Sequence, residues 1–179
     1  MNDPRAVANY VLDEAVRQKV IITNLALQKL IYFAHAISLV ERKESLVAGY
    51  FEAWRYGPVH PVVNDAFKSI GAKPILFRAK AFDPVRRIER ELLPINDLDE
   101  IRICNRVVMS LGKLGVGRLV ELTHARGGPW DHVVASAKTS PNLGLRIPNS
   151  VIAERHANLK VVIGNSPKPG EPHEDSPFA

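Results

Sequence analysis

The stretch of sequence that decides the fold is LALQKLIYFAHAISLVER, residues 25–42. It contains neither glycine nor proline, and its composition is rich in residues that form helices readily. Thr23 and Asn24 lie immediately before it, and either side chain can cap a helix N-terminus. We therefore predict a long central helix over this stretch.

One stripe of this predicted helix is unusual because it is mostly polar. Gln28, Tyr32, His35, Leu39 and Arg42 recur at spacings of four and three residues, which places them along one narrow face, whereas the opposite face is apolar. Such a stripe can face solvent, form a buried polar network or contact a partner protein. Because Tyr and His are costlier to expose than Lys or Glu, the pattern leaves all three alternatives open.

Caps and apolar periodicity predict further helices on both sides of the central one. Prolines occupy first helical positions, glycines follow several last turns, and Asp97 with Glu100 three residues later has the form of a capping box. The predicted helices span residues 4–18, 61–70, 97–112, 118–124, 129–138 and 149–158.

The predicted β content is small. SLVAGYFEAW, residues 45–54, is the strongest strand candidate, although Gly49 limits its length. Prolines divide residues 73–96 into short pieces such as PILF, which we interpret as a variable connector or a hairpin. The fold class predicted is mainly α with a small β component (α+β), a compact single-domain helical bundle of about six helices plus short strands.

Length and composition set the domain organisation. A chain of 179 residues suits one core, so we predict a single domain over residues 1–163. The remaining segment, 164–179, has four prolines and few apolar side chains, which predicts a disordered Pro-rich tail. No apolar run approaches the ~20 residues that span a bilayer, and the N-terminus lacks a signal sequence, so a cytoplasmic protein without membrane association is expected.

The charge balance permits two kinds of partner without choosing between them. The net charge of +5 suits an acidic protein or a nucleic acid. Residues 73–91 carry six Lys or Arg against three acids, but neither a glycine-rich anion cradle nor a ladder of stacking aromatics accompanies them. A solvated connector is the favoured interpretation, and a nucleic-acid partner is disfavoured.

The sequence offers little support for a metal or cofactor. Cys104 is the single cysteine, which excludes an internal disulfide and every multi-cysteine metal motif. His60, His124 and His132 do not occur at the spacing of a helical metal-binding pair. We predict no metal site and no cofactor, and we interpret Cys104 as a small buried hydrophobe.

Candidate catalytic residues are similarly isolated. Asp131 and His132 are adjacent, so their side chains point about 100° apart on a helix and do not form a ready acid–base pair. Glu52 lies among aromatic residues, where it can have a raised pKa or pair with Arg55, but no nucleophile or second carboxylate stands at a fixed spacing from it. We predict a protein that is not an enzyme; a small hydrolase built on Glu52, His60 and His124 is the weaker alternative.

Three segments taken together resemble one family. They are LQKLIYFA at residues 27–34, AWRYGPV at residues 53–59, and a Thr-His pair followed by Pro-Trp within residues 123–130. Their order and spacing are similar to the Panacea antitoxin domain, a SocA-like, phage-associated domain. The positions of the later two segments that carry the signature are Trp54, Gly57, Pro58, Thr123, His124, Pro129 and Trp130.

The resemblance implies an antitoxin that neutralises a cognate protein toxin by binding it. It also implies an alternative, an adaptor that delivers the toxin to a cytosolic AAA+ protease. It transfers no catalytic residue, and it leaves the toxin's identity and the oligomeric state open. The partner-binding residues that we expect are Gln28, Lys29, Tyr32, His35, Glu52, Arg55, Tyr56 and His60.

Overall fold

The computed structural model describes residues 1–137 and 144–159. Seven helices and five strands follow one another in these residues: α1 (Pro4–Arg17), α2 (Asn24–Glu41), β1 (Phe51–Trp54), β2 (Gly57–Val59), α3 (Pro61–Phe67), β3 (Ala81–Asp83), β4 (Ile88–Arg90), α4 (Leu98–Leu111), α5 (Val116–Thr123), α6 (Pro129–Ala137), β5 (Arg146–Ile147) and α7 (Asn149–Asn158). The predicted fold class, mainly α with a small β component, is confirmed. The predicted tail at 164–179, the domain boundary at 163 and Lys138 lie outside the described residues.

Helix α2 is the centre of the molecule. It packs against α1, α3, α4, α5 and α7, and its other neighbour is strand β2. Its buried residues extend without interruption from Ala26 to Leu39, so it is covered on every side. The prediction of a central helix is confirmed, and Thr23 supplies its cap by accepting a hydrogen bond from the Ala26 amide.

Helix α4 has the predicted N-cap residue, Asp97, but lacks the predicted capping box. The carboxylate of Asp97 accepts from the amides of Asp99 and Glu100, as a helix cap should. Glu100 does not complete a capping box, because its Oε2 accepts instead from Asn2 Nδ2 at 2.7 Å. Glu100, which was expected to complete the cap of α4, therefore connects α4 to the N-terminal segment of the chain.

The predicted strand over residues 45–54 is shorter in the structure. Strand β1 begins only at Phe51, because Gly49 has φ +91° and turns the backbone out of the extended conformation. Strand β1 is central in an antiparallel sheet of order β2–β1–β5. Trp54 pairs with Gly57, so Arg55 and Tyr56 form a two-residue turn between β1 and β2.

The connector at residues 73–96 contains a hairpin. Strands β3 and β4 pair antiparallel, which is one of the two predicted alternatives. PILF is not a strand: the Ile75 amide donates to the Ile22 carbonyl, and the segment lies across the N-terminal helices. Helix α3 is also one turn shorter than predicted, since residues 68–70 form a 3₁₀ turn.

Within the described ranges, none of the helices has the length and apolar character needed to cross a membrane.

Candidate partner-binding site

The three segments that carry the family resemblance meet around the side chain of Lys29. This lysine projects from α2 and is fully buried, and its Nζ donates to the Pro58 carbonyl on β2 at 2.8 Å. Burial lowers the pKa of Lys29 to about 7, because the carbonyl it contacts carries no compensating negative charge. The first and second segments are therefore joined by a buried amine.

Gly57 makes the approach of the third segment possible. Its φ of +93° is in the region that favours glycine. A Cβ at this position would collide with Thr123 Oγ1 of α5 and would lie 3.1 Å from Lys29 Nζ. A side chain there would force α2, the β1–β2 hairpin and α5 apart.

Trp130 provides a second connection between the third segment and the β1–β2 hairpin. Its Nε1 donates to the Trp54 carbonyl at 2.9 Å, and its ring stacks on His124 with the centroids 3.8 Å apart. Burial lowers the pKa of His124, and the positive charge of nearby Lys29 acts in the same direction. Pro129, at the start of α6, is buried beside them.

Gln28 and His60 hold the far end of strand β2. Gln28 Oε1 accepts from the His60 backbone amide at 2.8 Å. The His60 ring donates from Nε2 to the Ala48 carbonyl, also at 2.8 Å, and burial lowers its pKa. Both side chains are 1% exposed, so they act inside the molecule.

His35 links α2 to α7. Its Nδ1 accepts from the Val47 amide at 3.4 Å, which leaves Nε2 protonated to donate to Asn149 Oδ1 at 3.0 Å. Burial lowers the pKa of His35 to about 4, so the ring is neutral near pH 7. Tyr32 lies on the same stripe, with its ring edge-on to Phe51.

The polar stripe of α2 is buried, and the solvent-facing alternative is wrong. Gln28, Tyr32 and His35 are each 1% exposed, because β2 and α7 cover this face of the helix. At the end of the stripe Arg42 donates to both carboxylate oxygens of Asp97, at 2.7 and 3.0 Å. These hydrogen bonds hold the pKa of Asp97 well below its usual range.

Of the eight predicted partner-binding residues, two are exposed at the surface. Arg55 and Tyr56 form the exposed turn, and the Arg55 guanidinium lies 5.5 Å from the centre of the Tyr56 ring. The other six are buried and cannot touch a rigidly docked protein. They are Gln28, Lys29, Tyr32, His35, Glu52 and His60.

Glu52 differs from its prediction in a second way. The expected pairing with Arg55 does not form, because Glu52 Oε2 accepts from Trp54 Nε1 at 2.8 Å. Trp54 is only half-buried, so this bond fixes the indole at the base of the turn. Successive strand residues point to opposite faces, which keeps Glu52 and Trp54 on the same side and Arg55 beyond their reach.

The residues of the weaker hydrolase alternative are not assembled. In residues 1–137 and 144–159, no hydrogen bond joins any two of Glu52, His60 and His124, and each has a different neighbour. The same residues contain no group of three or more His, Cys, Asp or Glu side chains that could hold a metal ion. Cys104 is buried, and burial raises its pKa to about 12.

Sequence reasoning missed two polar residues that organise this region. Asn149 accepts from His35 and donates from Nδ2 to Ser45 Oγ at 2.9 Å, which connects α7 to the loop after α2. Asn9 forms a pair of hydrogen bonds with the Ala79 backbone and holds the connector. An asparagine on a helix carries no signal that distinguishes these roles from an exposed position.

Two comparisons with known proteins show that this chain is a domain of an antitoxin family. The family described as "Antitoxin SocA-like, Panacea domain" matches residues 27–131, from the first turn of α2 into α6, and the chain belongs to this family. The resemblance found in the three segments is thereby confirmed. The chain is also similar to "Antitoxin SocA" of Caulobacter vibrioides (strain NA1000 / CB15N), with 42% identity over 175 residues that cover 98% of this chain and 93% of the relative. No solved structure matches the chain.

Proposed function

We propose that the chain is an antitoxin that neutralises a cognate protein toxin by direct binding, and that the Arg55–Tyr56 turn lies at the centre of the contact surface. Membership of the antitoxin family and a relative that carries the name of an antitoxin support the role. The protein acts as a binding partner and performs no chemistry on the toxin.

The observation that carries the proposal is an exposed turn on an immobilised backbone. Side chains from outside the hairpin hold its backbone at three points. Buried Lys29 and Gln28 bind the Pro58 carbonyl and the His60 amide, and half-buried Trp130 binds the Trp54 carbonyl. A loop that is already ordered loses little conformational entropy when it binds. The turn is therefore built to present side chains in one geometry.

The two side chains of the turn suit a protein interface. Tyr56 is 55% exposed, which is a large aromatic surface to leave in water. Tyrosine and arginine are enriched among the residues that contribute most to binding, because each combines apolar contact with hydrogen bonding. The guanidinium of Arg55 can bind a carboxylate through two parallel hydrogen bonds, so the toxin surface opposite it is expected to be acidic.

Co-expression with the product of the neighbouring gene tests the proposal. The wild-type chain should restore growth that the neighbouring product alone stops. The double variant Arg55→Ser/Tyr56→Ser should fail to restore it, since loss of two interface anchors weakens binding by about 2 kcal/mol or more. The double variant should keep its free energy of unfolding within about 0.5 kcal/mol, because both side chains are on the surface.

The matched control is Met109→Ser, on the exposed face of α4, where the methionine is 66% exposed. It should rescue growth like the wild type. A neighbouring product that is harmless alone, or a double variant that rescues fully, would contradict the proposal.

The alternative mechanism, delivery of the toxin to a cytosolic protease, is supported by the composition of residues 164–179, which suit an extended docking segment. It makes a different prediction about the toxin level. Under simple occlusion the toxin accumulates beside the antitoxin, whereas under delivery it disappears unless the protease is deleted. Immunoblots of the toxin with the full chain and with a chain ending at residue 163 separate the two mechanisms.

A further inference from the structure

A groove between α3 and the β3–β4 hairpin lies outside the family signature segments. Its volume is about 550 Å³, and α3, the hairpin and the segment leading into it all contribute to its walls. Cavities of this size accommodate small ligands or side chains of a partner. Its lining residues have no part in the site described above.

The groove has an exposed apolar floor. Val62 of α3 is 45% exposed, and Phe77 is 43% exposed while one part of its ring packs on buried Phe67 with the ring centroids 5.4 Å apart. Phe82 of β3 is 62% exposed and pairs directly opposite Glu89, which lines the groove, so Phe82 lies on the groove face of the hairpin. Clustered exposed aromatic side chains mark interaction surfaces more often than isolated ones do.

The charges beside this floor are of two kinds. Those that line the groove are neutralised within the molecule, since Arg5, Arg78 and Lys80 form ion pairs with Asp3, Asp13 and Glu89. The turn of the hairpin is different: Arg86 and Arg87 are exposed and form no ion pair within the described part of the chain.

The one acid in that turn is already engaged. The carboxylate of Asp83 accepts from the amides of Val85 and Arg86, so it serves to shape the turn. Arg86 and Arg87 are thus two guanidinium groups without an ion pair in the described ranges, at the turn of the hairpin whose Glu89 lines the groove, and they are available to bind a carboxylate.

The β3–β4 hairpin also has no third strand to stabilise it among the described residues. Two strands without a covering layer are marginally stable in water. Strands β3 and β4 pair only with each other among the described residues, and their outward edges are free. A partner that adds contacts here would stabilise the hairpin.

We propose that the groove between α3 and the β3–β4 hairpin, together with Arg86 and Arg87, is a second docking surface, and that it receives an acidic segment of the toxin with an apolar side chain in the groove. The proposal rests on the proposed function and names the chemistry of the partner. A protein segment fits better than a nucleic acid, because Val62, Phe77 and Phe82 offer apolar contact that a phosphate backbone does not use.

Binding of the purified chain to the tagged product of the neighbouring gene tests this surface. Phe82→Ser removes the apolar wall, and Arg86→Glu/Arg87→Asn removes the positive turn; asparagine suits position 87 because its φ is +54°. Each variant should raise the Kd at least about tenfold, as expected for loss of an interface anchor. The arginine variant should also weaken the dependence of Kd on salt.

Matched controls separate local from general effects. Met109→Ser removes a comparably exposed apolar side chain from α4, and Lys113→Glu reverses an exposed charge after α4. Both should leave the Kd within twofold of the wild type. Circular dichroism and thermal unfolding should show that every variant remains folded; if Phe82→Ser does not, Val62→Asn on α3 probes the same groove, and the salt dependence of the wild-type complex probes the charge.

The outcomes are distinct. If the wild type does not bind the neighbouring product, the proposed function fails for that pair and this docking surface fails with it. If the wild type binds, Arg55→Ser/Tyr56→Ser weakens binding and the groove and hairpin variants do not, the second surface alone is refuted. Binding of the wild type to a 20-base-pair DNA duplex that is lost in the arginine variant, with toxin binding unchanged, would also overturn it.

Discussion

The side chains around the β1–β2 hairpin stabilise it mainly by forming hydrogen bonds with its backbone. Lys29, Gln28 and Trp130 each bind a main-chain atom of the β1–β2 hairpin from a different direction. Their side chains were predicted as contacts or as signature residues, and the sequence could identify them as special without showing that they point inward. Burial is decided by what covers the helix face, and that information is distributed over distant parts of the chain.

The buried amine of Lys29 should make stability depend on pH. Its pKa is about 7 in the folded protein against 10.5 in an exposed lysine. Between these values the unfolded chain holds a proton that the folded chain lacks, so stability rises with pH by about 1 kcal/mol per pH unit. We expect this slope in urea unfolding from pH 7.5 to 8.5. Above this range the Cys104 thiol of the unfolded chain, with an ordinary pKa of 9.0, ionises while burial keeps it protonated in the folded protein, which opposes the slope.

The variant Lys29→Met should lose this slope. The difference in free energy of unfolding between the wild type and this variant should therefore increase with pH. Above the range in which the lysine titrates, the variant should be the less stable protein by about 1–3 kcal/mol, because the Pro58 carbonyl loses its donor. A wild-type protein whose free energy of unfolding is constant between pH 7.5 and 8.5 would contradict a buried neutral amine.

Gly57 provides a second prediction at the level of one residue. Gly57→Ala should lower the free energy of unfolding by about 3 kcal/mol, because the backbone is strained and the new methyl group collides with Thr123 Oγ1. Gly127→Ala is the matched control: its φ is +75° and no atom lies within 4 Å of the added carbon. It should cost only the backbone strain of about 1–2 kcal/mol, as measured by chemical unfolding. Equal effects of the two substitutions would argue against the contact.

Elements were predicted well where local chemistry alone determines them. Helix α7 begins and ends at Asn149 and Asn158 as the sequence indicated, because proline precedes it and apolar spacing runs through it. Helix α3 and strand β1 were predicted too long. Their ends depend on a 3₁₀ turn and on the conformation of Gly49, which apolar periodicity does not report.

A buried contact between Asn9 and Ala79 holds the connector at residues 73–96 to α1. Asn9 is 1% exposed and forms two hydrogen bonds of 2.8 Å with the backbone of Ala79, one in each direction. Asn9→Leu keeps the branching and the number of side-chain heavy atoms but leaves a buried amide and a buried carbonyl unpaired, so it should lower the free energy of unfolding by about 2–4 kcal/mol.

Hydrogen exchange checks that the effect of Asn9→Leu is local to the connector. The amides of residues 75–80 should exchange faster in the variant while those of α4 change only with global stability. Asn105→Ala, which removes the half-buried acceptor of the Tyr10 hydroxyl, is the control and should leave the connector protected. Unchanged exchange at Ala79 would contradict the anchoring role.

At the scale of the whole molecule, the unusual feature is the number of neutral histidines in the interior. Burial lowers the pKa of His35, His60, His124 and His156, which come from four different parts of the chain. Each ring must take up its proton in a poorly solvated place when the pH falls. The stability of the domain is therefore expected to depend on pH.

We expect the protein to lose stability as the pH falls from 6.5 to 4.5. In this window the unfolded chain binds more protons at histidine than the folded chain does, so the free energy of unfolding decreases toward low pH. For His35 alone, with a folded pKa of about 4, the loss reaches about 2–3 kcal/mol.

Urea unfolding at pH 6.5 and 4.5 measures this loss of stability. The variant His35→Gln, whose amide can both donate and accept, should reduce the difference between the two pH values. A protein equally stable at both would contradict neutral buried rings.

The sequence by itself determined the helices, the fold class and the family. Helix caps, apolar spacing and short motifs act over a few residues, so they can be recognised without the rest of the chain. The tertiary structure alone decided that the polar stripe of α2 is buried, that Glu52 binds Trp54 instead of Arg55, and that Arg55 and Tyr56 form the exposed turn. These outcomes depend on which distant elements cover a given surface, and no local pattern of residues carries that information.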